Sequence, residues 1–343
     1  MNKKDDHNMN KLYFYMLVGI PASGKTTASK IIKQMLENDG KEYIYLSSDD
    51  LRVELFGDVN HQENNGELFN EMNKRTRDAL KKGINVIYDA TNINRRRRIG
   101  LLQQLPKDTK KYAVYLATDY NVALQNNEKR DRVVPKYVID RMYKNLHIPV
   151  KGEGWDEVIY VYDLHTISIE YHDDFIQKIK EMVLNNQGYE IMEVLADSFN
   201  IFDDIYEMPQ DSTYHSFSVS RHTYHVYDYI HKNYEGEDKE LMLWTALLHD
   251  IGKPFCKSFV NWKGESTRYA NFIGHDNVGA QIAAIFLRKL GYNVKFIEEV
   301  ATLIQFHMYL LNENADHEKL IKLVGEDLYK KLKILREADT QAH

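Results

Sequence analysis

The first half of the chain alternates short apolar runs with longer stretches in which apolar residues recur at helical spacing. Alternating buried strands and amphipathic helices are typical of a parallel sheet covered on both faces. The predicted strands are Leu12–Val18, Tyr43–Leu46, Val86–Tyr88, Tyr112–Leu116 and Val158–Val161. The predicted helices lie at about Lys25–Leu36, Leu68–Lys82, Arg95–Leu105, Val122–Lys129 and Pro135–Leu146. This half is therefore predicted to be an α/β domain.

After about Asp163 the strand signals stop, and helical spacing continues alone. The predicted helices are Asp173–Leu184, Ser220–His231, Lys239–Asp250, Asn277–Leu290, Val294–Leu310 and Glu318–Ala338. Gly252 and Gly291 stand where helix ends favour a left-handed residue. We therefore expect an all-α domain to follow the α/β domain. The predicted division is a disordered N-terminus (1–10), the α/β domain (11–165), a linker with leading helices (166–213) and the all-α domain (214–343).

Composition fits two folded domains. The 343 residues are 43% apolar and 12% aromatic, which is enough for each domain to bury a core. The single cysteine, Cys256, excludes an internal disulfide and fits a reducing compartment. No run approaches the roughly 20 apolar residues that a membrane span requires, and the N-terminus lacks the apolar core of a signal peptide. We expect a soluble, cytoplasmic protein without a membrane partner.

The net charge of −6 is unevenly distributed. Residues 1–165 carry 27 Lys and Arg against 23 Asp and Glu, or +4, whereas residues 166–343 carry 18 against 28, or −10. Four consecutive arginines, Arg95 to Arg98, lie in the basic half. They fit either a surface that steers a phosphodiester backbone or the solvated face of a helix.

A glycine-rich segment follows the first predicted strand and reads GIPASGKT from Gly19 to Thr26. This is P-loop spacing, in which glycines let backbone N–H groups face phosphate oxygens at the start of a helix. The alternative is a glycine-rich turn that binds no ligand. The predicted nucleotide-binding residues are Gly19, Ser23, Gly24, Lys25, Thr26 and Thr27. Lys25 would contact the β and γ phosphates of a nucleoside triphosphate, and Thr26 would contact Mg²⁺.

Polar residues follow the second predicted strand in the stretch SSDDLR, residues 47–52. In a parallel sheet such strand ends face the ligand crevice. Asp49 is therefore a candidate general base for an attacking hydroxyl, and Arg52 a candidate ligand for an acceptor phosphate. The alternative is that Ser48, Asp49 or Asp50 caps the helix that follows.

The third predicted strand delivers Asp89 to the same edge, where it is a candidate second ligand for Mg²⁺. Arg130 and Arg132 precede a helix that begins at a proline. Either arginine would stabilise charge on a transferred phosphoryl group, unless both form surface ion pairs.

Four motifs together resemble the P-loop polynucleotide 5′-kinase family: GxPxSGKT, SDDLR, YDATN and RxRxVP. The resemblance covers about residues 11–165 and includes EGWD at 153–156. It implies transfer of the ATP γ-phosphate to a 5′-hydroxyl end, with Asp49 as base and Arg130 or Arg132 as the lid arginine. Gln125-Asn126 departs from the family, in which an arginine often precedes the asparagine of the lid helix.

Histidines and aspartates recur through the second half. The residues at 241–248 are almost wholly apolar, so His249 and Asp250 at the end of that helix need a partner, for which a metal is suited. His307 shares a helix face with apolar residues and should point inward. Imidazole and carboxylate ligands suit Mn²⁺, Fe²⁺, Ni²⁺ or Zn²⁺, bound as one ion or two.

The spacing of RHT, HDIGK, FIGH with GA, and a late AD resembles the HD phosphohydrolase superfamily, with the closest likeness to HD domains attached to some tRNA nucleotidyltransferases. The resemblance covers about residues 214–343. It implies a first metal on His222, His249, Asp250 and Asp339, a second metal on His275 and His307, and a phosphate contact by Lys253. His225 is a rival to His222.

The two resemblances together imply a bifunctional RNA or DNA end-healing enzyme. It would phosphorylate 5′-hydroxyl ends and hydrolyse 2′,3′-cyclic phosphate or 2′/3′-phosphate ends. RNA is the expected nucleic-acid partner, and a separate ligase would use the products. The alternative is a nucleoside or small-molecule kinase fused to a nucleotide-hydrolysing or regulatory HD domain.

Overall fold

The computed structural model describes residues 11–61, 63–163, 171–212, 217–261 and 263–342. The predicted disordered N-terminus and part of the predicted linker lie outside the described residues. The chain divides into two compact units, Met1–Ile139 with Pro149–Asp163, and Asp140–Ile148 with Leu164–His343. Across the described ranges, no helix has the length and apolar character needed to span a bilayer.

The described part of the first unit contains a parallel five-stranded sheet in the order β2-β3-β1-β4-β5. The strands are β1 (Leu12–Val18), β2 (Tyr43–Ser47), β3 (Asn85–Asp89), β4 (Thr109–Ala117) and β5 (Glu157–Tyr162). The helices are α1 (Lys25–Asn38), α2 (Ser48–Phe56), α3 (Asn65–Lys81), α4 (Arg95–Leu102) and α5 (Tyr120–Glu128), with a 3₁₀ turn at Lys151–Glu153. The predicted α/β fold with a parallel sheet is confirmed.

The central strands of this sheet are buried on both faces. Phe14, Leu17 and Val86 are fully buried, and all five residues of β3 are buried. A near-continuous apolar strand is what a parallel sheet with helices on both faces requires. The core therefore holds β1 and β3 side by side.

The pairing register aligns the carboxyl ends of three strands. Leu17 near the end of β1 pairs with Asp89, the last residue of β3, and Asp89 pairs with Ser47, the last residue of β2. The segments that follow these strands therefore emerge along one edge of the sheet.

The second unit is mainly helical, and α6 (Lys136–Lys144) has residues in both units. Its further described helices are α7 (Asp173–Asn185), α8 (Glu190–Ser198), α9 (Asn200–Asp203), α10 (Val219–Asn233), α11 (Lys239–Leu248), α12 (Lys253–Cys256), α13 (His275–Lys289), α14 (Val294–Phe306), α15 (His317–Val324) and α16 (Glu326–Gln341), with a 3₁₀ turn at His307–Leu311. Every residue from Leu241 to Leu248 is buried, so α11 is a central helix of this unit. The predicted helical second part is confirmed.

Two local features of the second unit, a hairpin and a helix break, differ from the sequence expectations, and a third agrees with them. An antiparallel hairpin of β6 (Ser258–Val260) and β7 (Ser266–Asn271) lies where no strand was predicted. Gly325, with φ 85° and ψ 162°, divides the predicted helix 318–338 in two. Gly291 is left-handed as expected, with φ 77°.

Gly252 has φ −83°, so the expected left-handed conformation is wrong there. A Cβ atom on Gly252 would lie 2.2 Å from the His275 carbonyl oxygen and 2.6 Å from the Gly279 nitrogen. Close approach of two backbone segments, rather than a helix end, therefore requires this glycine.

Candidate phosphate-binding loop and metal centre

The loop between β1 and α1 is held by neighbouring strand ends. Gly19 N donates to Thr91 O at 3.0 Å, and Thr118 Oγ1 donates to Ser23 O at 2.9 Å. Gly24, just before α1, has φ 91°, a region that favours glycine. The Ser23 hydroxyl is buried and has no hydrogen-bond partner among the described residues. A ligand bound in the loop would supply that partner.

Lys25 folds back over this loop. Its Nζ donates to Gly19 O at 3.1 Å and to Ile20 O at 2.7 Å. Burial lowers the pKa of Lys25 to about 8; Asp89 opposes this shift, and the positive charge of Arg130 adds to it. An anion bound in the loop would replace the two carbonyl contacts and favour the charged ammonium.

Asp89 ends β3 beside the loop. It is 8% exposed, and its Oδ2 accepts a hydrogen bond from Tyr45 Oη at 2.6 Å. Burial raises the pKa of Asp89, while the bond from Tyr45 limits the rise. Thr26 and Thr27 lie exposed in the first turn of α1. The Asp89 carboxylate and the Thr26 hydroxyl are oxygen ligands of the type that Mg²⁺ prefers.

Asp49 lies in the first turn of α2, but it does not cap that helix. Ser47 is the N-cap, and its Oγ accepts from Asp50 N at 3.2 Å. The Asp49 side chain is 50% exposed and lies between two guanidinium groups, with Oδ1 3.4 Å from Arg52 Nη1 and 3.5 Å from Arg132 Nη1. Helix capping, the alternative that the sequence left open, therefore does not account for Asp49.

Arg52 is 6% exposed, so its guanidinium is fixed by neighbours. Its Nη2 donates to Asn65 Oδ1 at 2.7 Å, and its Nε has no hydrogen-bond partner in the described ranges. Burial lowers the pKa of Arg52, and Asp49 opposes that shift. The side chain is thus held beside Asp49 with a buried donor that an acceptor group would satisfy.

Arg130 and Arg132, the two candidate lid arginines, have different neighbours. Arg130 is near enough to Lys25 to lower the pKa of that amine, whereas Arg132 contacts Asp49. Arg130 therefore acts on the phosphate-binding loop through its charge, whereas Arg132 directly contacts the candidate base.

Asn127, which was not among the predicted site residues, bonds across the segment that carries Arg130 and Arg132. Asn127 is 3% exposed; its Oδ1 accepts from Val134 N at 3.0 Å, and its Nδ2 donates to Val134 O at 2.8 Å. These bonds join the two ends of the segment that carries both arginines. No periodic pattern marks such a residue, because its partner lies outside α5, in the irregular segment that follows the helix.

We expect Asn127→Ala to lower phosphoryl-transfer turnover about tenfold, because two hydrogen bonds of about 1 kcal/mol each hold the arginines in place. The affinity for ATP should change by no more than twofold to threefold, because the loop around Lys25 is intact. Steady-state turnover and equilibrium ATP binding measure the two effects. Asn126→Ala, an exposed neighbour, is the matched control and should retain turnover. Equal losses in both variants would contradict a positioning role for Asn127.

The four consecutive arginines do not act as one basic surface. Arg98 is 1% exposed and binds Glu153 through Nε and Nη2 at 2.8 and 2.6 Å, while its Nη1 donates to Asn92 O at 2.8 Å. Arg95 Nε lies 3.5 Å from the same carboxylate. Arg96 and Arg97 are exposed. Of the four arginines, only Arg96 and Arg97 are exposed enough to contact a phosphodiester backbone. The interpretation of all four as a steering surface is therefore wrong for Arg98.

In the second unit, five helices bring the predicted metal-binding residues together. His222 lies in α10, His249 and Asp250 follow α11, and His275 begins α13. His307 follows α14, and Asp339 lies in α16. All except Asp339 are buried. His225, the rival to His222, is exposed and packs against Phe217 instead.

The six side chains form two groups, His222 with His249 and Asp339, and Asp250 with His275 and His307; within each group the ligand atoms lie within 4.8 Å of one another. His222 Nε2 is 2.8 Å from Asp339 Oδ1.

Asp250 faces both groups. Its Oδ2 lies 3.4 Å from His249 Nε2 and 3.7 Å from His222 Nε2, and its Oδ1 lies 3.4 Å from His275 Nε2. The Asp250 carboxylate therefore lies between the two groups, with one oxygen toward each.

The protonation of the four imidazoles fits metal binding. Each Nδ1 lies 2.6 to 2.9 Å from a backbone carbonyl oxygen; the acceptors belong to Ala342, Ala246, Phe272 and Ile304. A carbonyl only accepts, so each Nδ1 carries the proton and each Nε2 presents a lone pair.

Facing lone pairs need a cation between them. The Nε2 atoms of His275 and His307 are 3.2 Å apart, and those of His222 and His249 are 3.4 Å apart. Because neutral imidazoles cannot bond to each other through two lone pairs, the arrangement fits a divalent ion in each group.

The charges at this cluster differ from residue to residue. Burial lowers the pKa of His307 to about 4, so the His307 ring is neutral near pH 7. Burial would lower the pKa of His249 as well, but the neighbouring carboxylate of Asp250 raises it. Burial alone would raise the pKa of Asp250, but Lys253 and His249 hold it well below its usual value. Neutral imidazole and ionised carboxylate are the forms that bind metals.

Lys253 contacts the cluster directly. Its Nζ lies 2.6 Å from Asp250 Oδ2 and donates to Gln210 Oε1 at 2.7 Å. Gln210 is 2% exposed. It was not predicted as a site residue, because no motif marks residues 166–213. An ammonium group has three donors, so Lys253 retains one for an anion beside the cluster.

Two family models match the chain: an AAA domain at residues 14–149 and an HD domain at residues 213–341. The chain is 29% identical over 143 residues to the L-seryl-tRNA(Sec) kinase of Methanococcus maripaludis, covering 41% of this chain and 55% of that protein. The CC-adding tRNA nucleotidyltransferase of Thermus thermophilus is 37% identical over 98 residues, covering 29% of this chain and 22% of that protein. The chain thus spans about half or less of the length of these relatives.

Two solved structures match part of the chain. The Pnkp1/Rnl/Hen1 complex matches with a TM-score of 0.31 at 21% identity, over 37% of this chain and 42% of that chain. A gluconokinase from Sinorhizobium meliloti 1021 matches with a TM-score of 0.32 at 16% identity, over 45% of this chain and 82% of that chain.

Proposed function

We propose that this chain, which joins a P-loop kinase-like domain to an HD domain, is a bifunctional enzyme that heals broken RNA ends. The first unit would transfer the ATP γ-phosphate to a 5′-hydroxyl end, and the second would hydrolyse 2′,3′-cyclic phosphate or 2′/3′-phosphate ends. The observation that carries the kinase proposal is the position of Asp49, between Arg52 and Arg132 at the sheet edge that also carries Lys25. The ends so produced are those that a separate ligase joins.

In the kinase reaction, the loop amides and Lys25 bind the phosphates, and Arg130 approaches them from the lid. Mg²⁺, held by Thr26 and Asp89, would neutralise charge on the β and γ phosphates. Asp49 accepts the proton of the attacking hydroxyl as that oxygen bonds to the γ-phosphorus and ADP leaves. Arg52 holds the acceptor beside Asp49. The reaction needs little covalent chemistry from the protein, so the positioning of the two substrates supplies most of the rate enhancement.

In the hydrolytic reaction, the six histidine and aspartate side chains would hold one or two divalent ions, which lower the pKa of a bound water and neutralise phosphate charge. Mn²⁺, Fe²⁺, Ni²⁺ and Zn²⁺ all suit this ligand set. Lys253 contacts a phosphate oxygen. Water adds to phosphorus and one P–O bond of the cyclic diester breaks, which leaves a monoester that a second water hydrolyses.

RNA is favoured over DNA by two kinds of support. One relative is named for a seryl-tRNA substrate and another for a tRNA substrate. A 2′,3′-cyclic phosphate also requires a 2′-hydroxyl, which only RNA has.

A second candidate for the kinase is phosphorylation of a different alcohol, either a nucleoside or an aminoacyl group carried by tRNA. The similarity to the L-seryl-tRNA(Sec) kinase favours this candidate. The HD domain would then hydrolyse nucleotides or regulate the kinase.

One assay separates these proposals. The full chain is supplied with γ-labelled ATP, Mg²⁺ and, in turn, a 5′-hydroxyl oligoribonucleotide, its DNA counterpart, a nucleoside and seryl-tRNA. Preferential labelling of the oligoribonucleotide supports the proposal, and preference for the nucleoside or seryl-tRNA contradicts it. A parallel screen of Mn²⁺, Fe²⁺, Ni²⁺ and Zn²⁺ follows phosphate release from RNA with a 2′,3′-cyclic end.

A further inference from the structure

A cavity of about 340 Å³ lies in the first unit between α3 and the segment that joins β3 to α4. This volume is within the range of small-ligand sites, roughly 300 to 1,000 Å³. The mechanism above assigns the cavity no role.

The wall of the cavity suits a base and a sugar. Amide side chains of Asn65, Asn70 and Asn73 line one side, with the rings of Phe69 and Tyr88 beside them. Amides donate and accept hydrogen bonds as base edges do, and aromatic rings stack on bases. No carboxylate belongs to the described lining, so the wall does not repel a phosphate.

Tyr88 also orients one of these amides. Its hydroxyl donates to Asn73 Oδ1 at 2.9 Å, which leaves the amide N–H groups of Asn73 as donors. That side chain therefore presents donors rather than acceptors to an occupant.

The cavity is joined to the reacting end by a chain of contacts. Arg52 binds Asn65, a cavity residue, at 2.7 Å through one guanidinium nitrogen, and lies 3.4 Å from Asp49 through the other. An acceptor whose hydroxyl meets Asp49 therefore has the cavity only one side chain away.

A single exposed cation stands at the cavity wall among the described residues. Arg98 also lines the cavity, but its guanidinium is committed to Glu153. Arg97 is exposed, and its guanidinium lies 5.9 Å from the centre of the Phe69 ring. A base stacked near Phe69 would bring the phosphate that follows it toward Arg97.

We propose that this cavity binds the 5′-terminal nucleoside of the acceptor strand and that Arg97 binds the phosphate on its 3′ side. The inference rests on the proposed kinase function and deepens it, because it explains why a strand would be preferred to a free nucleoside. The first nucleoside fills the cavity in both cases, and only the strand has a phosphate for Arg97.

The test compares a 5′-hydroxyl ribodinucleotide with the matching nucleoside. For the native chain we expect kcat/KM to be at least tenfold higher for the dinucleotide. Arg97→Ala should reduce that preference about tenfold and leave the nucleoside reaction within twofold. Arg96→Ala removes an equally exposed charge that does not line the cavity, and it should retain the preference. Equal losses in both variants, or equal loss for both acceptors in Arg97→Ala, would overturn the assignment of Arg97.

A second variant tests the cavity itself. Asn70→Trp places a large ring at an exposed position of the wall. It should weaken the binding of both the dinucleotide and the nucleoside about tenfold, with the affinity for ATP unchanged. Undiminished acceptor affinity in this variant would overturn the cavity assignment. Calorimetric binding of the unreacted dinucleotide gives a readout without phosphoryl transfer. Binding without transfer would therefore contradict the kinase proposal alone, and transfer that survives a filled cavity would contradict the cavity alone.

Discussion

Asp49→Asn is expected to lower kinase turnover about 10³-fold, within the 10² to 10⁴ range that general bases contribute. Asparagine keeps the shape of the side chain between Arg52 and Arg132 but cannot take the proton of an attacking hydroxyl. ATP affinity should change by no more than a few fold, because Lys25 and the loop amides are untouched. Transfer of labelled phosphate to a 5′-hydroxyl oligoribonucleotide measures turnover, and equilibrium titration measures ATP binding.

Asp50→Asn is the matched control for this experiment. Asp50 is exposed in the same helical turn and carries the same charge, but its backbone N–H, rather than its carboxylate, contributes to the cap of α2. Turnover in the control should stay within twofold to threefold of the native value. If Asp49→Asn retains more than a tenth of native turnover, another group removes the proton.

The kinase half was predictable because parallel-sheet geometry relates sequence position to space. Strand ends share one edge, so residues that follow different strands, such as Lys25 and Asp89, could be expected to meet. The residues at this edge could therefore be predicted without knowing which distant segments pack together.

Contacts between distant segments were not predictable in this way. In the sequence, nothing distinguishes Arg98 from its three arginine neighbours. In the structure, Glu153, 55 positions later, binds Arg98 through two hydrogen bonds. Asn65 supports Arg52 only because α2 and α3 pack together. A charge run gives no indication of which member will be buried, since the partner is specified elsewhere in the chain.

The metal cluster shows a signal that the sequence did contain. The buried face of α10 includes Val219, Val226 and Ile230. His222 is three positions after Val219 and four before Val226, so helical spacing puts it on that face, whereas His225 turns toward solvent. The position of Asp250 between the two groups of ligands has no such signal, because it depends on where α13 and α14 place their histidines.

Asp250→Asn is expected to remove most of the bound divalent metal and to lower hydrolysis of a 2′,3′-cyclic phosphate by 10³-fold or more. Both oxygens of this carboxylate face histidine nitrogens, at 3.4 Å on each side, so one substitution weakens both groups of ligands. Metal content by elemental analysis and phosphate release from defined RNA ends are the two measurements. Kinase turnover in the same sample should be unchanged, since that reaction uses residues of the other unit.

His225→Ala is the control for the metal experiment, because it removes an imidazole from the same helix as His222 without reaching the cluster. It should bind metal and hydrolyse RNA ends at native levels. Native metal content in Asp250→Asn would contradict the assignment of this cluster as the metal centre. Loss of kinase turnover together with hydrolysis would instead mean either that the two reactions share a site or that the variant misfolds. A far-ultraviolet circular dichroism spectrum separates these two causes, because only misfolding removes the helical signal.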